Sequence, residues 1–165
     1  MKKILKVIFL ILLFAFIAIQ FVSPVNGFMF GTQFNSPEKS ANREITNDDL
    51  TKKATVPDNV QTILKRSCYD CHSNQTVWPW YSNVSPVSWL VADDVVKGRR
   101  KMNFSEWGKM SANKQEKKFS DINDMVSDGS MPLPKYLIIH KDAVLSPADK
   151  DALLKWAKSQ VDTTK

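Results

Sequence analysis

The 165-residue chain is poor in the side chains that most often carry chemistry, with two cysteines and two histidines. A structural zinc site wants four ligands, and Cys68, Cys71, His72 and His140 would all have to converge to supply them. Charge of one sign is not in surplus either. The formal net charge is +6, and without Lys2, Lys3 and Lys6 the chain keeps 20 basic residues against 17 acidic ones. So small and dispersed an excess argues against a nucleic-acid partner. The sequence shows no internal repeat, no low-complexity tract and no strand-like alternation of useful length, which points away from repeat arrays and from sheets.

Charge is missing altogether from residues 7–22, the main part of an apolar run over residues 4–22 interrupted only by Lys6 and Gln20. As a helix the run would be roughly 28 Å long, close to the ~30 Å hydrocarbon core of a bilayer. Two readings compete for it. A cleaved signal peptide has an apolar region of about 7–15 residues ending at a small-x-small site. This run is longer, and Val25-Asn26-Gly27 is a poor substitute for such a site. A retained signal anchor over residues 1–27 fits the length better. Lys2, Lys3 and Lys6 precede the run, so the positive-inside rule leaves the N-terminus in the cytoplasm and exports the remainder. The expectation is a single-pass inner-membrane anchor with a periplasmic C-terminal domain.

Residues 28–56 read as a linker, containing Gly31, Ser36, Pro37 and Ser40 and then a polar stretch without apolar period. Residues 57–165 read as one all-α domain. Asp58 caps a helix carrying Val60, Ile63, Leu64, Ser67, Cys68 and Cys71 at helical spacing. Ser85-Pro86 is a cap followed by proline at the first helical position, ahead of a stripe of Val87, Leu90, Val91 and Val95 and a stop at Gly98. Ser111 opens a third helix, with Phe119, Ile122, Met125 and Val126 on one face and Gly129 as its break; Met125 reads as core filler. Ser146-Pro147-Ala148-Asp149 opens a fourth as a capping box, with Leu153, Leu154, Ala157 and Val161 inward. Long loops fall at residues 73–84 and 129–145. The five tryptophans, Trp78, Trp80, Trp89, Trp107 and Trp156, read as core. Four modest helices still make a thin core, which a cofactor would complete.

Ser67-Cys68-Tyr69-Asp70-Cys71-His72 contains C-x-x-C-H, the attachment pattern for c-type haem. Two thiols one helical turn apart can each add to a vinyl group on neighbouring edges of the porphyrin, and the next residue then lies under the iron as an imidazole ligand. Scattering two cysteines and two histidines over the chain gives this pattern with a probability of about 10⁻⁴, so the motif is specific. The bland alternative is a disulfide beside an idle histidine. A thioredoxin-like redox pair is another, but it wants a βαβ context. The reading adopted is one covalently attached haem c, held by Cys68 and Cys71 with His72 as the proximal iron ligand.

A second ligand should approach from the other side of the ring. Met131, in Gly129-Ser130-Met131-Pro132, sits in a loop fixed by prolines; Met102, Met110 and Met125 compete with it. His140 is the other candidate and would give bis-histidine ligation, although a lone histidine more often makes an ordinary hydrogen bond. An open sixth position is the third option. The basic run Lys97-Gly98-Arg99-Arg100-Lys101 is at its plainest a solvated helix end that suits the helix dipole. Its sharper reading gives Arg99 and Arg100 to the haem propionates, because guanidinium groups pair bidentately with carboxylates.

The stretch from Cys68 to His72, the Met131-Pro132 pair and the final Leu154-Lys155-Trp156-Ala157 resemble the cytochrome c superfamily and, more closely, a small bacterial family of haem-binding domains. Pro79-Trp80-Tyr81-Ser82, Pro86-Val87-Ser88-Trp89, Gly98-Arg99 and Asn103-Phe104-Ser105-Glu106-Trp107 strengthen the resemblance, which covers about residues 57–160. It implies a cytochrome c-like helical fold, thioether bonds at Cys68 and Cys71, and iron held by His72 and Met131. The chain departs from the pattern where Leu133 separates two prolines expected to be adjacent. The family brings no assigned reaction with it.

The function expected is one-electron transfer on the extracytoplasmic side, by a carrier rather than an enzyme. With His and Met ligands both axial positions are filled, and thioether ligation raises the potential. The alternative is a haem-based sensor or peroxidase-like enzyme with a labile sixth ligand. No distal His/Arg pair supports it, since one of two histidines is already used. The membrane is one expected partner, and the sequence does not name the redox partner proteins.

Overall fold

The computed structural model describes residues 2–21 and 44–162, which form seven α-helices and four 3-10 turns without a strand. The all-helical class expected from the missing alternation is therefore the one adopted. Residues 22–43, with the candidate cleavage site and most of the expected linker, lie outside the described residues. The chain divides into two compact units, Met1–Lys39 with Trp78–Lys97, and Ser40–Val77 with Gly98–Lys165.

The first unit holds α1 (Lys2–Gln20), a 3-10 turn at Trp80–Asn83 and the larger part of α5 (Val87–Lys101). None of α1 is buried, and it is the one described helix long and apolar enough to cross a membrane. Helix α5 starts one residue later than expected, after Pro86. Its stripe is only partly inward, with Ala92 and Val95 buried but Val87 and Leu90 exposed. Trp80 is 78% exposed, which corrects its assignment to the core. Trp78 and Trp89 are half-buried, and the Trp89 indole N–H is enclosed with no acceptor among the described residues.

The second unit carries one continuous core. Helix α3 (Asp58–Ser67) buries Val60, Ile63, Leu64 and Ser67, the i, i+3, i+4, i+7 face read from the sequence. Asp58 is its first residue rather than its cap, which is Pro57. Helices α6 (Ala112–Ser127) and α7 (Pro147–Asp162) pack most extensively on each other, and α7 also packs on α3. Ser111 occupies the N-cap position of α6 without a side-chain capping hydrogen bond, and Gly129, at φ 77°, supplies the left-handed residue beyond its end. Met125 is 43% exposed, so the α6 core face is Phe119, Ile122 and Val126 alone. The core reaches back before residue 57. Asp49 and Leu50 are fully buried at the start of α2 (Leu50–Lys53), and the Thr46 hydroxyl donates to the Ser105 carbonyl at 2.9 Å. A four-residue helix has no period to detect, and its polar neighbours resemble a linker in sequence.

Aromatic rings link this core to the C-x-x-C-H segment. Tyr69 stacks on Phe104 at 5.1 Å between centroids, Phe104 meets Trp107 at 6.2 Å, Trp107 meets Phe119 at 4.7 Å, and Phe119 meets Trp156 edge-on at 5.4 Å. Trp107 and Trp156 are thus core residues as expected. The Trp156 indole N–H is satisfied by the Thr55 carbonyl at 3.0 Å.

The start of α7 is the reciprocal capping box read from the sequence. The Ser146 N–H donates to Asp149 Oδ2 at 2.9 Å and the Asp149 N–H to Ser146 Oγ at 3.1 Å. Asp149 also accepts Arg66 Nη2 at 2.8 Å, tying α7 to α3. The Ser146 hydrogen bonds, then Arg66, hold the Asp149 carboxyl below the usual carboxylate range. A depressed folded-state pKa gives stability that is full above the unfolded value and lost as pH falls through the folded one. Asp149→Ala should therefore cost about 1 kcal/mol at pH 7. In thermal melts the gap from wild type should close on acidification; a gap of constant size would show that the carboxylate is not its source.

Candidate functional site

Helix α3 ends at Ser67 and the short helix α4 (Tyr69–His72) begins at once, with Cys68 as the hinge between them at φ −131° and ψ −39°. The sequence had suggested one continuous helix through both cysteines. The break does not spread the motif, because the Cys68 carbonyl accepts from Cys71 N–H at 3.2 Å and from His72 N–H at 3.0 Å. Two thiols outside any disulfide and an imidazole therefore share one tight turn. All three side chains are only partly buried, at the margin of the core rather than inside it.

His72 is held in one tautomer. Its Nδ1 lies 3.0 Å from the Met102 carbonyl, and a carbonyl only accepts, so Nδ1 carries the proton and Nε2 keeps its lone pair. Burial lowers the His72 pKa, opposed by the carbonyls of Met102 and Gly98, which favours the neutral form that can ligate a metal. A carbonyl on the far nitrogen is the support that metal-ligating histidines normally have.

Gly98 is not the helix stop that the sequence suggested. Helix α5 runs past it to Lys101, and a Cβ at residue 98 would stand 2.4 Å from the Cys71 carbonyl oxygen and 2.9 Å from its carbon. The glycine is there for close approach of two backbones, not for a reversal of the chain.

Residues 73–77, which follow the motif, are clamped by polar contacts. Ser73 Oγ donates to the Tyr69 carbonyl at 2.7 Å and accepts from Gln75 N–H at 2.9 Å. Arg99 donates from Nε to the Ser73 carbonyl at 2.8 Å and from Nη2 to Thr76 Oγ1 at 2.9 Å. Of the two arginines proposed for propionates, Arg99 is thus pinned beside the motif, and Arg100 is exposed. Asn74 N–H donates to Ser105 Oγ at 3.0 Å, and Asn103 Nδ2 donates to Asn74 Oδ1 at 3.0 Å.

Two residues inside the motif reach further out. Tyr69 donates its hydroxyl to the fully buried Asp49 at 3.0 Å. Asp70 accepts Val77 N–H at 2.9 Å on one oxygen and the Tyr136 hydroxyl at 3.1 Å on the other. Burial and the adjoining carboxylates push both tyrosine hydroxyls well above their ordinary range. Through Tyr136 the loop over residues 129–145 is tied to the C-x-x-C-H turn. That loop carries both sixth-ligand candidates. Met131 is half-buried, with its N–H on the Met125 carbonyl at 3.0 Å. His140 stacks on Tyr136 at 4.0 Å and 11°. Sequence reasoning missed Asp49, Asp70, Tyr136 and the Met102 carbonyl, none of which carries a local signal for its partner.

The rival chemistries fit poorly. Burial and the neighbouring Cys71 push the Cys68 thiol up to about 12, the reverse of the lowered value a reactive redox pair needs. No group of three or more His, Cys, Asp or Glu side chains suited to a metal ion occurs among the described residues. A haem fits what is present: two thiols on one turn, an imidazole with Nε2 available, and a loop bearing two candidate ligands, Met131 and His140, held to that turn.

The protein is of the haem-binding class. Residues 27–159 match the haem-binding domain family, and the chain belongs to it. No curated protein and no solved structure matches the chain.

Gly98→Ala tests the role of the close approach. Forcing α5 and the Cys71 carbonyl apart should cost about 1–3 kcal/mol and lower the haem content of purified protein in proportion. Wild-type stability and haem content in this variant would show that the contact is dispensable.

Proposed function

We propose that the protein is a membrane-anchored c-type cytochrome that carries single electrons on the extracytoplasmic side of the membrane. The observation that supports this best is the single turn bearing both cysteines and a tautomer-locked His72. On this reading Cys68 and Cys71 would hold one haem c through thioethers, and His72, through Nε2, and Met131 would be its iron ligands. Haem supplies the one-electron couple of its iron. The remaining work belongs to the chain. Met102 orients the imidazole, Arg99 sits where one guanidinium nitrogen, Nη1, is left for a propionate, and Asp70 with Tyr136 fixes the ligand loop to the turn. Helix α1 anchors the domain in the inner membrane, with residues after it in the periplasm. With His72 and Met131 both taken up as ligands, the group would supply electron transfer rather than substrate chemistry.

The stacking of His140 on Tyr136, itself bonded to the motif, gives the bis-histidine reading a specific observation of its own. Substitution separates the two. Met131→Ala should abolish the weak sulfur-to-iron charge-transfer band of the oxidised protein and open the iron to carbon monoxide. It should also lower the midpoint potential on the order of 100 mV, since axial ligands set a span of ~0.8 V. His140→Ala should leave all three nearly unchanged. The reverse pattern would make this a bis-histidine protein. Ready carbon monoxide binding by the unmodified protein would favour the sensor or peroxidase-like alternative over a closed carrier.

A further inference from the structure

Gln20 is the one polar side chain in an apolar run that is otherwise uninterrupted after Lys6. An unpaired carboxamide at the end of a membrane span is costly, and this one is paired. Its Oε1 accepts the Ser85 N–H at 2.9 Å and its Nε2 donates to the Ser85 carbonyl at 3.1 Å, so a side-chain amide docks on both backbone groups of one residue. Both partners belong to the same compact unit. The pairing sets Ser85 level with the outer end of α1, beside Phe21, which is 84% exposed.

The chain around Ser85 combines a lack of charge with indole and phenol side chains. Residues 78–92 contain no Asp, Glu, Lys or Arg, but they contain Trp78, Trp80, Tyr81 and Trp89. Three large apolar side chains here face outward: Trp80 at 78%, Leu90 at 57% and Val87 at 40% exposure. Tryptophan and tyrosine concentrate where a membrane meets water, their ring bodies apolar and their N–H or O–H groups hydrated. Exposed indole and leucine make a surface that water solvates poorly and a headgroup–acyl boundary solvates well. It is bounded one helical turn beyond Leu90 by Asp93, which is paired with Lys97, and by Asp94.

We propose that residues 78–92 form a second membrane contact, a monotopic element that lies in the outer interfacial layer of the bilayer beside the end of α1. It rests on the reading of α1 as a membrane span, which it deepens. The absence of charged side chains in residues 78–92 means that it takes a zwitterionic lipid surface and needs no anionic lipid.

Full-length holoprotein reconstituted in phosphatidylcholine vesicles, doped with a phosphatidylcholine bearing a diazirine near the glycerol, tests this. After irradiation, lipid adducts are mapped on peptides by mass spectrometry, with residues 112–127 of α6 as the internal control. Adducts should appear on residues 2–21 and on residues 78–92, the latter at several times the yield of the control. Trp80→Ser with Leu90→Ser should bring labelling of residues 78–92 down toward the control while leaving residues 2–21 labelled. Labelling of residues 2–21 without residues 78–92 overturns the second contact and leaves the anchor standing. Absence of labelling from residues 2–21 overturns the span itself, and the second contact with it.

Discussion

The contact on which the site depends is between the end of α5 and the turn of the C-x-x-C-H motif. A missing Cβ at Gly98 lets two backbones come closer than any side chain would allow. The terminal carbonyls of a helix lack partners within it, and the carbonyl of Met102, just past Lys101, finds its partner in His72. One glycine and one orphan carbonyl thus decide which imidazole nitrogen carries the proton. Without the first the second would not reach, and the histidine would be free to present either nitrogen.

The surroundings of the turn are built to keep it there. Tyr69 puts one end of the motif into the aromatic core through Phe104 and, by its hydroxyl, onto buried Asp49. Asp70 spends its two oxygens on two different segments, Val77 and Tyr136. Such a turn is fixed on several sides while its cysteines and histidine remain at the margin of the core. That arrangement suits a planar, largely apolar cofactor, which must be held still at its metal.

How much of this the sequence disclosed depended on whether the signal was local. The capping box at Ser146 and Asp149, the apolar face of α3 and the break at Gly129 are written within a few residues, and all were legible. The C-x-x-C-H spacing is likewise local. Gly98 misled because a glycine near the end of an apolar stripe marks a stop in the absence of knowledge that Cys71 lies against it. Trp80 and Leu90 misled because size and hydrophobicity argue for burial without saying what does the burying. Asp49 and Tyr136 gave no signal, since their partners lie 20 and 66 residues away. Residues 44–56 looked like tether because four residues of helix and one buried leucine make no pattern.

On the proposed function Cys68 and Cys71 carry haem covalently, and intact mass after acid-acetone extraction measures this directly. Full-length protein made with a haem-maturation system should keep its colour through extraction and weigh one haem more than the bare polypeptide. Cys68→Ser with Cys71→Ser should surrender the pigment to the solvent and return to the polypeptide mass. A wild-type chain of bare polypeptide mass, with its haem in the acetone layer, would contradict the account.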